Sequence, residues 1–280
     1  EVIYLNGFYS GKFNSGPLVY LLLLNRNSKI IVAPRGMLGS HALSLKSTKK
    51  KILIAVLKYL GIESRVVFHA ASEEERQGVI SVYSSAKVEV VANVPLPPEN
   101  KVKVGCSPSS FISVGRISQV KNTLGLMKLI KSRPGLDLVH VGTGDDQAYE
   151  SKCKNEAPVS VRFVDGANRR EIDQMLDGAS YFISMTTGEN FGHAVIEALS
   201  RGCPVILSDR TPWNDIESLG AGWIIPLEDE VRWKTVLDEA QRIKPEVYEE
   251  MSTAALRYVK HKFDFDDLRM KYLKLFQTEN

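Results

Sequence analysis

Residues Ala179 to Asp209 read ASYFISMTTGENFGHAVIEALSRGCPVILSD, and the order of patterns inside this stretch decides the fold. Tyr181–Met185 is a short run of strand formers, Thr186–Asn190 a polar turn, and from Phe191 a helical period takes over. Phe191, Ala194, Val195, Ala198 and Leu199 fall at i, i+3, i+4, i+7 and i+8, which makes one apolar stripe. Gly202 ends that helix, and Pro204 opens a further strand, Val205–Leu207. The unit is a βαβ crossover. In such units the loop after the first strand and the first helical turn face the ligand crevice, where unpaired N–H groups attract anions. Glu189 lies in that loop. Glu197 lies six residues into the predicted helix, four after His193 and away from the apolar stripe.

The same alternation continues on both sides. Strands are predicted at Phe111–Val114, Leu136–Val141, Val159–Val164, Tyr181–Met185, Pro204–Leu207 and Trp223–Pro226, with helices between them. Six such strands form a parallel sheet covered on both faces. Glu246–Lys260 and Asp266–Phe276 read as helices, the latter with Leu268, Tyr272, Leu273 and Phe276 on one side. Upstream, Ala92–Ser110 holds four of the 12 prolines and no helical period, so a domain boundary falls there. Before it, strands at Glu1–Leu5, Lys29–Ala33, Arg65–Phe68 and Val88–Val91 alternate with helices at Gly16–Leu24, Thr48–Leu60 and Ser72–Ser81, again α/β. The expected division is 1–94, a linker 95–110, a second domain 111–262 and a terminal helix in 263–280.

Composition excludes several classes. With 280 residues and 44% apolar content, the chain can bury one large core or two moderate ones. A net charge of +3 is too small for the strongly basic face of a dedicated nucleic-acid binder. Cys106, Cys153 and Cys203 are far apart and odd in number, which suggests neither a disulfide framework nor a zinc site and points to a reducing, cytoplasmic setting. The apolar run Leu18–Leu24 is well short of the roughly 20 residues that a spanning helix needs.

Glu189 and Glu197 with Phe191-Gly192 between them, followed by ALSRGCP at Ala198–Pro204, resemble the signature of family 4 of the retaining glycosyltransferases, which have the GT-B fold. Phe111–Asn122, FISVGRISQVKN, is similar to that family's strand with a Gly-Arg and a downstream Lys. Leu138–Gly144, LVHVGTG, resembles its Gly-x-Gly strand end, and Thr211-Pro212-Trp213 with Gly222-Trp223 a late segment of many members. From about residue 107 onward the likeness is nearly complete. It implies two doubly wound Rossmann-like domains, with the last helix returning to the first. It also implies that about the first half of the amino-terminal domain, with its first strand and glycine-rich loop, is absent from this chain. The sheet edge so exposed invites pairing with a second copy.

A sugar nucleotide leaves behind its diphosphate, and the developing negative charge must be stabilised by a metal or by fixed cations and backbone dipoles. Arg116, just after a strand, and Lys121, at an expected helix start, supply two cations at one βα loop. A cation at a helix start is disfavoured by the helix dipole unless an anion is near. By resemblance these two residues grip the diphosphate, Glu189 contacts the donor sugar hydroxyls, and Glu197 accepts from the ribose hydroxyls. The amides of Phe191 and Gly192 would add donors, and His193 shares the face of Glu197. Gly115, Gly142 and Gly144 suit close approach of backbone to ligand. Asp264-Phe265-Asp266 matches a metal-binding Asp-x-Asp, but it opens the terminal helix and reads as capping charge. No metal and no cofactor are expected. The resemblance implies a UDP- or GDP-sugar as donor and a polysaccharide or lipid-linked glycan as acceptor, with retention of configuration. The alternative is a sugar-nucleotide-binding subunit without turnover.

In the first domain, Asn6-Gly7 and Pro34-Arg35-Gly36-Met37-Leu38 follow strands. In many relatives the second site resembles His-Gly-Met-Leu, so Arg35 stands in the His place. It reads either as a contact for phosphate or an anionic acceptor, or as a turn residue facing water. His41 and His69 read as structural or surface residues, and Ser72 as an N-cap. Lys46, Lys49, Lys50 and Lys51 lead into the apolar ILIAVLKYL. That arrangement suits either the inner face of an anionic membrane or a solvated helix start.

Overall fold

A computed structural model describes residues 1–24, 27–39, 47–93, 101–104, 107–189 and 191–277. His41, Lys46, Cys106, Asn190 and positions 95–100 of the expected linker lie outside the described residues. The chain forms two compact units, Glu1–Asn93 with Asp264–Asn280, and Val94–Phe263.

In the first unit the strands are β1 (Val2–Asn6), β2 (Lys29–Ala33), β3 (Val66–Ala70) and β4 (Lys87–Val90). A π-helical turn, Gly11–Ser15, precedes α1 (Gly16–Leu24), and α2 (Ser47–Tyr59), α3 (Ile62–Arg65) and α4 (Glu73–Val82) follow. The strands pair in parallel in the order β1-β2-β3-β4. Alternation along each strand sends Leu5, Ile30, Val32, Val66 and Phe68 to one face, against Leu18, Leu22, Leu57, Ile62 and Val79 of the helices. Right-handed crossovers between strands taken in sequence put every connecting helix on that one face. Ile31, Val2, Tyr4 and Val67 point the other way, where Leu268, Tyr272 and Leu275 of the terminal helix, Phe265–Phe276, cover them. Ser72 caps α4, accepting from the Glu75 amide at 3.2 Å, and Asp264 caps the terminal helix, accepting from Asp267 at 2.9 Å.

The second unit contains β5 (Ser110–Val114), α5 (Thr123–Lys131), β6 (Asp137–Val141), α6 (Gln147–Glu156), β7 (Val161–Val164), α7 (Arg169–Gly178) and β8 (Tyr181–Ser184). It continues with α8 (His193–Ser200), β9 (Val205–Ser208), β10 (Gly222–Ile225), α9 (Glu230–Arg242) and α10 (Pro245–Lys262). Its six parallel strands run in the order β10-β9-β8-β5-β6-β7. The chain winds outward from β5 to β7 and then returns to the other side of β5, so the strand order reverses between β5 and β8. Buried Phe111, Leu138, Tyr181, Ile183 and Ile206 of the sheet pack with Leu126, Ile130, Trp233 and Leu237 of the helices. Lys103 is buried and donates to the Leu176 and Ala179 carbonyls at the end of α7, which satisfies two acceptors that the helix itself cannot. His140 is also buried, and burial pushes its pKa down to about 4, so it sits neutral in the sheet.

Two local expectations are corrected. The helix expected from Phe191 begins at His193, because Gly192 takes a left-handed conformation (φ 78°) and breaks the period. Phe191 therefore leaves the apolar stripe, and Glu197 is the fifth helical residue. Lys121 is not in a helix start but in the turn before it. Asn122 is left-handed (φ 49°), and α5 opens at Thr123.

Candidate active site

The loops after β5 and β8 leave the carboxyl edge of the sheet on either side of the order reversal, the position at which open α/β sheets bind ligands. They are fastened to each other at one acceptor. The Val120 carbonyl receives the Thr187 amide (2.7 Å), the Thr186 hydroxyl (2.9 Å) and the Thr187 hydroxyl (3.1 Å). Ser208 of β9 donates to the Thr186 carbonyl at 2.7 Å, and the Glu189 amide to that of Arg210 at 3.1 Å. These bonds place Lys121 of one loop against Glu189 of the other, and the two form an ion pair that is largely enclosed.

The other charges singled out from the sequence are paired with residues that the sequence reading missed. Arg116 Nη1 meets Asp145 Oδ2 at 2.9 Å, both side chains well exposed. Glu197 is paired with Arg169, whose Nε also meets Asp173 at 3.0 Å. Arg169 carried a usable signal: Asn168 and Glu171 form a capping box, so Arg169 opens α7 directly beyond β7, on the same sheet edge. Exposed ion pairs contribute only about 0–1 kcal/mol, so Arg116 can exchange Asp145 for a stronger anion at little cost. Lys121 and Glu189, more enclosed, are held ready as a unit.

The glycines divide by role. A Cβ at Gly142 would lie 2.2 Å from the Gly115 carbonyl oxygen, so this glycine lets two strand ends touch. The Gly115 amide donates to Val141 and that of Ile117 to Thr143, at 2.9 and 3.0 Å. The Gly144 amide is occupied by Glu150 Oε2 at 3.1 Å. A Cβ at Gly192 would meet Glu189 Cγ and Trp213 Nε1, each at 3.1 Å. The Phe191 ring packs 4.6 Å from His193 and edge-on to Trp213 at 5.3 Å, which closes an aromatic wall beside Glu189.

Residues 100–257, more than half of the chain, match the family described as glycosyl transferases group 1. The chain belongs to that family. Over 137 residues it is 27% identical to a GDP-mannose:cellobiosyl-diphosphopolyprenol alpha-mannosyltransferase of Komagataeibacter xylinus, covering 48% of this chain and 34% of that one. It therefore spans about a third of that curated relative. Among solved structures it resembles TarM of S. aureus (TM-score 0.67, 14% identity, 99% of this chain and 55% of that chain). It also resembles HepE of Anabaena, determined with UDP and glucose (TM-score 0.67, 14% identity, 98% and 77%). The fold of this group 1 family member is thus GT-B, and its family match contains every residue from Arg116 to Glu197 discussed above.

Proposed function

We propose that this group 1 family chain transfers a sugar from a UDP- or GDP-sugar to a polysaccharide or lipid-linked acceptor, with retention of configuration and without a metal. The observation that carries the reading is the Lys121–Glu189 pair at the strand-order reversal, with Arg116 on the same loop as Lys121. A diphosphate draws Lys121 and Arg116, which stabilise the charge that develops as the bond to the anomeric carbon breaks. Glu189, released from Lys121, accepts from sugar hydroxyls, and Glu197 from the ribose. A leaving phosphate oxygen takes the acceptor proton on the same face, which retains configuration without a protein nucleophile. Calorimetry with UDP and GDP in EDTA tests the metal-free binding step. Binding is expected to persist, and Arg116→Ala to weaken it by about 1.5–3 kcal/mol, the range for hydrogen bonds to charged groups. Binding abolished by EDTA and restored by Mg²⁺ contradicts the reading.

A lipid-linked acceptor is favoured by the outer face of α2. Its core side holds Leu57 with Leu53 and Ile54, as a surface helix should. Its opposite side is also apolar: Ile52, Val56 and Tyr59, at i, i+4 and i+7, are 60%, 42% and 92% exposed. Lys49, Lys51 and Lys58 flank this second stripe, and from Val2 to Ile62 the sequence has nine Lys and Arg and no Asp or Glu. Such a face suits an anionic bilayer, apolar groups entering between headgroups while lysines meet phosphates. Among the described residues no helix is long and apolar enough to cross a membrane. Flotation with vesicles containing phosphatidylglycerol is expected to carry the protein upward at low salt, and Ile52→Ser with Tyr59→Ser to abolish this. Equal flotation of the double variant rules the α2 face out.

A further inference from the structure

We propose that Arg35 is a built phosphate site in the first unit, separate from the Arg116–Lys121 loop. The hydrogen bonds around it leave little freedom in who donates. His69 Nε2 lies 2.8 Å from the Val91 carbonyl, so it carries the proton. Nδ1 is then an acceptor and takes the Tyr4 hydroxyl at 2.7 Å. The Tyr4 oxygen in turn accepts from Arg35 Nη2 at 3.0 Å, and Asn6 Oδ1 accepts from Arg35 Nε at 2.7 Å. Every partner of the guanidinium is neutral, and burial pushes the His69 pKa down, which keeps it so. The nearby carboxylate, Glu75, is spent on the Gly36 and Ala71 amides, each at 2.7 Å. Among the described residues no carboxylate forms an ion pair with Arg35.

The result, among the described residues, is a fixed cation whose hydrogen-bond partners are all neutral. Nη1 is shielded from solvent and has no hydrogen-bond partner among the described residues. A guanidinium nitrogen so placed is costly until an anion is supplied. The backbone adds a second sign: Arg35 is left-handed (φ 54°), a conformation that non-glycine residues hold only where the surroundings over-determine it and that gathers at functional sites. Arg35 lies just past β2, at the carboxyl edge of its sheet, where such sheets bind ligands. Arginine's planar fork suits a phosphate oxygen pair. On the proposed function, the phosphate is one carried by the acceptor, not the donor diphosphate.

Phosphorus NMR titration of the intact chain with inorganic phosphate, with and without saturating UDP, tests the site. Phosphate is expected to bind the UDP-saturated protein. Arg35→Gln should weaken phosphate by about tenfold or more while leaving the UDP dissociation constant within about twofold. Tyr4→Phe, which keeps the charge but removes the oxygen that positions Nη2, should give an intermediate loss. Arg116→Ala should weaken UDP and spare phosphate. If UDP fails to bind while phosphate still depends on Arg35, the proposed function falls and this site stands. If Arg35→Gln weakens UDP as much as phosphate, the donor diphosphate is the ligand and a separate site is ruled out. Phosphate affinity unchanged in a folded Arg35→Gln protein overturns the proposal.

Discussion

Lys121→Ala is expected to lower turnover of the sugar nucleotide by about a hundredfold to a thousandfold, the usual effect of removing one preorganised stabiliser of developing charge. Lys121 is enclosed by its own loop and paired with Glu189. An alanine therefore removes a cation from the diphosphate and also leaves a partly buried carboxylate without its partner, repelling the substrate that it should orient. The loss should fall mainly on kcat, since the diphosphate carries more charge in the transition state than in the bound donor. Lys121→Arg, which keeps the charge with a different reach, should recover part of the rate. Release of UDP or GDP from a panel of sugar nucleotides measures both. A kcat unchanged in Lys121→Ala would show that the charge is stabilised elsewhere.

Gly142→Ala is expected to destabilise the second unit by about 3 kcal/mol, an effect at the upper end for overpacking. The added carbon would sit 2.2 Å from the Gly115 carbonyl oxygen and 2.8 Å from its carbon, at a φ of 141°. Both obstacles are backbone, so no side-chain rotation relieves them. The ends of β5 and β6 must separate, at the expense of the 2.9 Å bond from Gly115 to Val141. Gly144→Ala makes the comparison. Its carbon would meet Glu150 Oε2 at 2.9 Å, the far end of a flexible side chain, and come no closer than 3.1 Å to Glu150 Cβ and 3.2 Å to the Ile117 carbonyl oxygen, so the cost should be smaller, about 1 kcal/mol. Thermal melting of the two variants separates them, and equal shifts would sink the argument.

The sequence by itself determined the succession of elements and the loops that carry charge. Strong periodicity does this: LVHV at Leu138–Val141 and YFIS at Tyr181–Ser184 are strands on composition alone, and Ser72 and Asp264 announce their helices through cap chemistry that needs no distant partner. It also placed Arg116, Lys121 and Glu189 in loops after strands, since a parallel sheet sends every βα loop to one edge. Only the tertiary structure decided which charges meet. Lys121 and Glu189 are 68 residues apart, and their contact follows from β5 and β8 becoming neighbours and from three bonds to the Val120 carbonyl. Arg169 reached Glu197, and Asp145 reached Arg116, for the same reason. Gly192 had a local effect that periodicity could not register, because a left-handed residue leaves the apolar spacing intact while delaying the start of the helix to His193. The Arg35 relay through Tyr4 to His69 joins three strands of one sheet, and no spacing along the chain encodes it. Local pattern is written in neighbours three or four residues away, whereas ion pairs and wired hydrogen bonds depend on strand order, which only the packed sheet defines.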